Sequence, residues 1–212
     1  MPKDWFEWHD LYQSDQRLQQ RLEIVQEHIK TSLDNAPPGL IRIVSVCAGD
    51  GRDLLGVIPN HPRVHDIQAR LVNLNPQLVE RGRQAIATTG LSDQITFVNG
   101  DATYSNAYAG AVPADIVLVC GVFGNLPDEA ELQRLIGNLK YLAKPDAFVL
   151  WTRSYADGIA YPEIVRKHFR EANFEEIIYR LTATGDMGVG LHRYRGETAP
   201  HPLIKLYLSL QV

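Results

Sequence analysis

The chain has 212 residues, 45% of them apolar and 22% charged, with a formal net charge of -4 at pH 7. That length supplies the core of one domain, and the charge pattern, with no Lys/Arg run, gives no support to a nucleic-acid groove or an anionic-membrane surface. No apolar run approaches a membrane span and the N-terminus is aromatic and acidic, so a cytoplasmic protein with a small-molecule partner, alone or as a homodimer, is expected.

At the N-terminus, Asp4-Trp5-Phe6-Glu7 has the spacing of a capping box. Trp5, Trp8 and Tyr12 then share one face, and Leu11, Leu18, Leu22, Val25, Ile29 and Leu33 continue an amphipathic pattern until Pro37-Pro38-Gly39 ends it. Residues 1–38 are therefore expected to form a helical extension. Its aromatic cluster either docks the terminus on the domain or covers a substrate as a lid.

Residues 39–212 form the domain proper, organised around VSVCAGDGRDLLG, residues 44–56. β-branched residues stopped by Gly and Asp, with a helix starting at Arg52, read as strand, glycine loop and helix. Missing side chains at Gly49 and Gly51 would let a ligand lie against bare backbone at a helix start. A dinucleotide fingerprint needs a third glycine where Leu54 stands, which disfavours NAD.

Strand patterns follow at 68–74, 94–99, 115–120 and 148–152, with helical patterns at 76–88 and 128–142 between them. Pro76 falls at an early helical position, where its missing N–H costs nothing. Beyond them, 161–172 reads as a helix, 174–181 as a sixth strand, 185–193 as a Gly-rich connection and 203–210 (LIKLYLSL) as a seventh strand. This alternation predicts a mainly parallel sheet with helices on both faces, whose ligands collect at the carboxyl ends of the strands.

In order, the glycine loop, LVNLNP, FVNGDA and VLVCGVFGNLPDEAEL resemble the motifs of class I S-adenosylmethionine-dependent methyltransferases over about residues 41–152. The resemblance implies a single-domain α/β fold: a Rossmann-like seven-stranded mixed sheet, helices on both faces, the last strand antiparallel. It implies S-adenosylmethionine as cofactor, bound by Cys47, Ala48, Gly49, Gly51, Asn73, Leu74, Asp101, Ala102, Cys120 and Gly121. Asn73 falls where the family places the acid that holds the ribose, Asp101 where it holds the adenine amino group, with the Ala102 amide donating to the ring. Cys120 and Gly121 match the strand end beside the methionine moiety. Ser45 and Cys47 depart from the first motif, and Asn73 offers one acceptor oxygen where a carboxylate offers two.

Methyl transfer from a sulfonium needs chiefly alignment and exclusion of water, with a general base optional. Catalytic candidates at the active edge are Asn125, Arg153 and His192, with Asp128, Tyr155 and His9 beside them; Arg153 suits either a substrate carboxylate or a local acid, His192 reads either as catalytic or as a surface histidine on a hairpin, and no metal ligand set is apparent. The expected function is methyl transfer to a small-molecule acceptor. Its rivals are a nicotinamide-dependent oxidoreductase and a non-catalytic cofactor-binding module on the same fold.

Overall fold

A computed structural model describes residues 5–156, 158–200 and 202–207. Two helices, α1 (Trp5–Asp10) and α2 (Gln16–Asp34), precede the sheet domain. Asp4, the proposed first residue of the capping box, lies outside the described residues. Helix α2 starts where the Asp15 carboxylate accepts the Arg17 amide at 2.8 Å.

The domain runs β1 (Ile41–Val46), α3 (Arg52–Leu55), β2 (Ile67–Asn73), α4 (Pro76–Thr88), β3 (Ile95–Asn99), β4 (Ala114–Val119), α5 (Glu129–Asn138), β5 (Ala143–Ser154), α6 (Tyr161–Glu171), β6 (Phe174–Leu181) and β7 (Met187–Tyr194). Local signals set the helix starts. Asn75 caps α4 by accepting the Gln77 and Leu78 amides, Pro76 takes the first helical position, and Asp128 caps α5 through the Glu131 amide at 2.9 Å.

The seven strands lie in the order β3-β2-β1-β4-β5-β7-β6. Strands β1 to β5 pair in parallel, and β7 runs antiparallel between β5 and β6. Alternate side chains of each strand feed opposite faces. Val44, Val46, Val117, Val119, Val149 and Trp151 pack with α5 and α6 residues such as Leu135 and Phe169. Ile41, Ile43, Leu71, Ile116, Leu118 and Leu150 pack with Val25, Ile29 and Leu33 of α2, Leu54 of α3 and Val79 of α4.

The closing strand differs from the sequence expectation. The expected Gly-rich connection is β7 itself, while 203–207 carry no strand beyond one isolated bridge between Tyr104 and Lys205, and 208–210 lie outside the described residues. The glycines of β7 are close-packing devices. A Cβ on Gly190 would stand 2.4 Å from the Trp151 indole, and one on Gly188 would stand 2.7 Å from the Tyr179 hydroxyl. Residues 202–207 instead lie along the loop after β3, where Ser105 donates its amide to the Ile204 carbonyl at 2.9 Å and Leu206 donates to the Thr103 carbonyl at 2.7 Å. Leu206 and Tyr207 are fully buried by that seating.

Candidate functional site

Four parallel strands end at one edge of the sheet, and each delivers a residue to the same hollow. Cys47 follows β1, Asn73 ends β2, Asp101 follows β3 and Cys120 follows β4, around a cavity of about 540 Å³. Of the ten residues that the motif resemblance assigns to a cofactor, nine line this cavity: Cys47, Ala48, Gly49, Asn73, Leu74, Asp101, Ala102, Cys120 and Gly121.

Gly51 is the exception. Its φ of +81° belongs to the left-handed region, and a Cβ there would stand 2.8 Å from Leu71, inside the core. Gly49, with φ of +60°, does face the hollow, but a Cβ on it would meet His9 Nε2 at 2.2 Å. The bare backbone predicted as a shelf for ligand therefore receives the His9 ring at Gly49 and core side chains at Gly51.

The Cys47 thiol meets Tyr207, with Sγ 3.3 Å from the hydroxyl. Burial pushes that thiol up to about 11, so it stands as a neutral filler at ordinary pH. Burial also raises the Cys120 thiol, which therefore stays neutral at ordinary pH.

Asn73 and Asp101 each spend one oxygen on a local turn. Asn73 Oδ1 accepts the Asn75 amide at 2.8 Å, and Asp101 Oδ1 accepts the Thr103 amide at 2.8 Å. These bonds aim both side chains at the cavity and leave the Asn73 amide group and Asp101 Oδ2 available to a ligand.

The N-terminal segment forms one wall. Trp8, His9 and Tyr12 line the cavity. The Arg52 guanidinium lies 4.5 Å from the Tyr12 ring centre, and Arg81 lies 4.1 Å from that of Phe6 while donating to Asp10 at 2.9 Å. Asp50 joins these two cations by pairing with Arg52 and lying 3.8 Å from Arg81. Burial works against the ionised Asp50 carboxylate, but the Arg52 guanidinium outweighs it and holds Asp50 below the usual carboxylate range.

The catalytic candidates separate. Asn125 borders the cavity and donates from Nδ2 to the Gly121 carbonyl at 2.8 Å. Arg153 borders a second, smaller hollow next to the first. His192 is brought to neither. It is fully buried in β7, stacked on Phe169 with ring centres 4.5 Å apart, and its Nδ1 accepts the Trp151 indole N–H at 3.0 Å. Asp128 is the α5 cap, and the Tyr155 hydroxyl meets the Tyr179 hydroxyl at 3.2 Å.

Sequence reasoning missed Arg21, Thr103, Lys205 and Tyr207, all of which line the main cavity. Arg21 carried a legible signal, because it interrupts the buried stripe of α2 between Leu18 and Val25. Lys205 and Tyr207 carried none, since their contact with the site depends on the path of a segment without regular structure.

Comparison with known proteins gives concordant results. A family described as "Putative methyltransferase" matches residues 4–156. The curated protein "Uncharacterized protein YnbC" of Escherichia coli (strain K12) is 28% identical over 113 residues, 53% of this chain and 19% of that protein, so the chain spans about a fifth of that relative's length. Among solved structures, magnesium protoporphyrin IX methyltransferase (ChlM) from Synechocystis PCC 6803 with bound SAM has a TM-score of 0.67 at 14% identity, over 88% of this chain and 89% of that one. An O-methyltransferase family protein from Burkholderia thailandensis has a TM-score of 0.65 at 17% identity, over 84% of this chain and 56% of that one. These structural likenesses establish a shared Rossmann-like fold.

Proposed function

This chain belongs to the methyltransferase family just described, and from that premise we propose that it transfers a methyl group from S-adenosylmethionine to a small-molecule acceptor. The observation that carries the proposal is the convergence of four strand ends on one hollow, with Asn73 and Asp101 fixed by turns and directed into it. At about 540 Å³ the hollow falls within the roughly 300–1,000 Å³ of small-molecule sites.

S-adenosylmethionine supplies a methyl group on a sulfonium, whose displacement leaves a neutral thioether. In this reading Asn73 holds the ribose, Asp101 and the Ala102 amide hold the adenine, and the backbone at Cys47, Ala48 and Gly49 with that at Cys120 and Gly121 flanks the methionine moiety. Asn73 meets a ribose hydroxyl with its amide N–H or its remaining oxygen lone pair, a neutral bond where the family uses a charged one. Trp8, His9 and Tyr12 act as a lid that keeps water from the reacting centre.

The sheet order also speaks against the nicotinamide rival, because dinucleotide-binding sheets run 3-2-1-4-5-6 without the antiparallel insertion of β7. Calorimetry with S-adenosylhomocysteine and with NADH tests the proposal. Heat with the former alone is expected; heat with NADH alone overturns it in favour of the oxidoreductase, and heat with neither overturns it in favour of a non-catalytic module. Asp101→Ala is expected to weaken S-adenosylhomocysteine by about tenfold or more through loss of a charged hydrogen bond. Asn73→Asp is expected to leave the affinity equal or tighter, and equal losses in the two variants would contradict the ribose assignment.

A further inference from the structure

The acceptor is left open by the cofactor hollow, but the neighbouring hollow of about 220 Å³ has a distinctive chemistry. It shares Trp8, Arg21, Gly121 and Asn125 with the cofactor hollow, so the two adjoin at the end assigned to the methionine moiety. Two guanidiniums line it. Arg21 is 6% exposed, and its Nε donates to Thr152 Oγ1 at 3.2 Å. Its Nη2 comes within 3.7 Å of an ideal Cβ on Gly121. Arg153 lies 4.1 Å from the Tyr161 ring centre, and its Nη1 stands 3.3 Å from an ideal Cβ on Gly124, so it is held between an aromatic face and bare backbone.

Among the described residues no Asp or Glu lines this hollow, and neither Arg21 nor Arg153 makes an ion pair with a carboxylate. Withdrawing a cation from water without a counter-charge is costly, and burial accordingly lowers the pKa of Arg153. An anion with two oxygens in a plane supplies the missing partner, since the guanidinium fork matches it bidentately. The remaining wall is apolar where Trp8, Leu18 and Met187 contribute. Among the described residues His, Tyr and Cys are also absent from the lining, which offers cations and no general base.

We propose that the acceptor is a small carboxylic acid bound as its anion, with the carboxylate held by Arg153 and Arg21 and an apolar body against Trp8, Leu18 and Met187. This rests on the methyl-transfer reading for the word acceptor, though the anion site itself does not depend on it. The volume lies below the roughly 300 Å³ lower bound of drug-sized sites, which limits the body to about one ring.

Calorimetry tests it with benzoate, its neutral isostere benzamide, and inorganic phosphate, each titrated into the protein with S-adenosylhomocysteine present. Benzoate is expected to bind, with benzamide and phosphate much weaker. Arg153→Gln should weaken benzoate by about tenfold or more and Arg153→Lys by less, because the lysine keeps the charge and loses the fork. Both variants should bind S-adenosylhomocysteine as the parent does, which also shows that they are folded. The proposal is overturned if benzamide or phosphate binds as tightly as benzoate, if benzoate does not bind, or if Arg153→Gln keeps full benzoate affinity. Should benzoate behave as expected while S-adenosylhomocysteine does not bind, the methyl-transfer reading fails and the anion site stands.

Discussion

At Gly190 a missing side chain has a definite use. The Trp151 indole, fully buried and stacked with Phe169 at 5.9 Å, occupies the space a Cβ would take, and its N–H is satisfied by His192. Gly190→Ala is therefore expected to destabilise by about 1–3 kcal/mol, as overpacking against a rigid ring does, read as a lower urea midpoint with an unchanged m-value. An unaltered midpoint would mean that the ring yields freely and the glycine is not needed there. The same contact explains why both sequence readings of His192, catalytic or on a surface hairpin, differ from its buried position. In the sequence GVGLHRY the flanking glycines look like a loop and its histidine like an exposed acid–base group. Only the partner of each glycine, Trp151 for one and Tyr179 for the other, reveals a buried strand.

Two cations tie the N-terminal segment to the domain. Arg81 holds Asp10 and the Phe6 ring, and Arg52 faces Tyr12, so two arginines next to the glycine loop fasten the aromatic wall of the cavity. Such half-exposed contacts are worth about 1 kcal/mol together, enough to bias a lid and too little to decide folding. Arg81→Met is expected to speed amide exchange across α1 and to weaken S-adenosylhomocysteine severalfold while leaving the melting temperature nearly unchanged. If exchange in α1 stays slow, the segment is a fixed wall and the lid assignment falls. The helical extension itself was legible, because its apolar period and the Pro37-Pro38-Gly39 stop are local signals. Its placement over Gly49 was not, since it depends on charges from two other elements.

At the scale of the whole molecule, two of the buried histidines, His28 and His192, couple stability to pH. Burial pushes both down to about 4 from an ordinary 6.5, assisted by Arg180 at His28 and opposed by Glu176 at His192. An unfolded chain takes up protons at these rings below about 6.5, whereas the folded chain refuses them until about 4. Stability is therefore flat with respect to these groups above 6.5 and falls as pH drops from there toward 4, by up to about 1.4 kcal/mol per pH unit for each ring. Glu176, held below its ordinary 4.5 by the Arg166 guanidinium, loses its contribution only below that value. Urea titrations across this range should show the slope, and His28→Gln should remove about half of it. A profile that is flat between 6.5 and 4 would contradict the assignment of both rings as buried and neutral.

The sequence alone determined the alternation of strands and helices, the place of Pro76 at the start of its helix, and the four strand-end residues that meet at the cavity, because each follows from a pattern within a few neighbouring residues. Tertiary structure alone decided that Gly188 and Gly190 belong to β7, that His9 fills the space above Gly49, and that residues 202–207 bring Lys205 and Tyr207 to the site. It also decided that Arg21 and Arg153, 132 positions apart in the chain, share one hollow with no carboxylate among its described lining residues. Those facts depend on which distant atoms occupy a given volume, a quantity that periodicity and propensity do not encode.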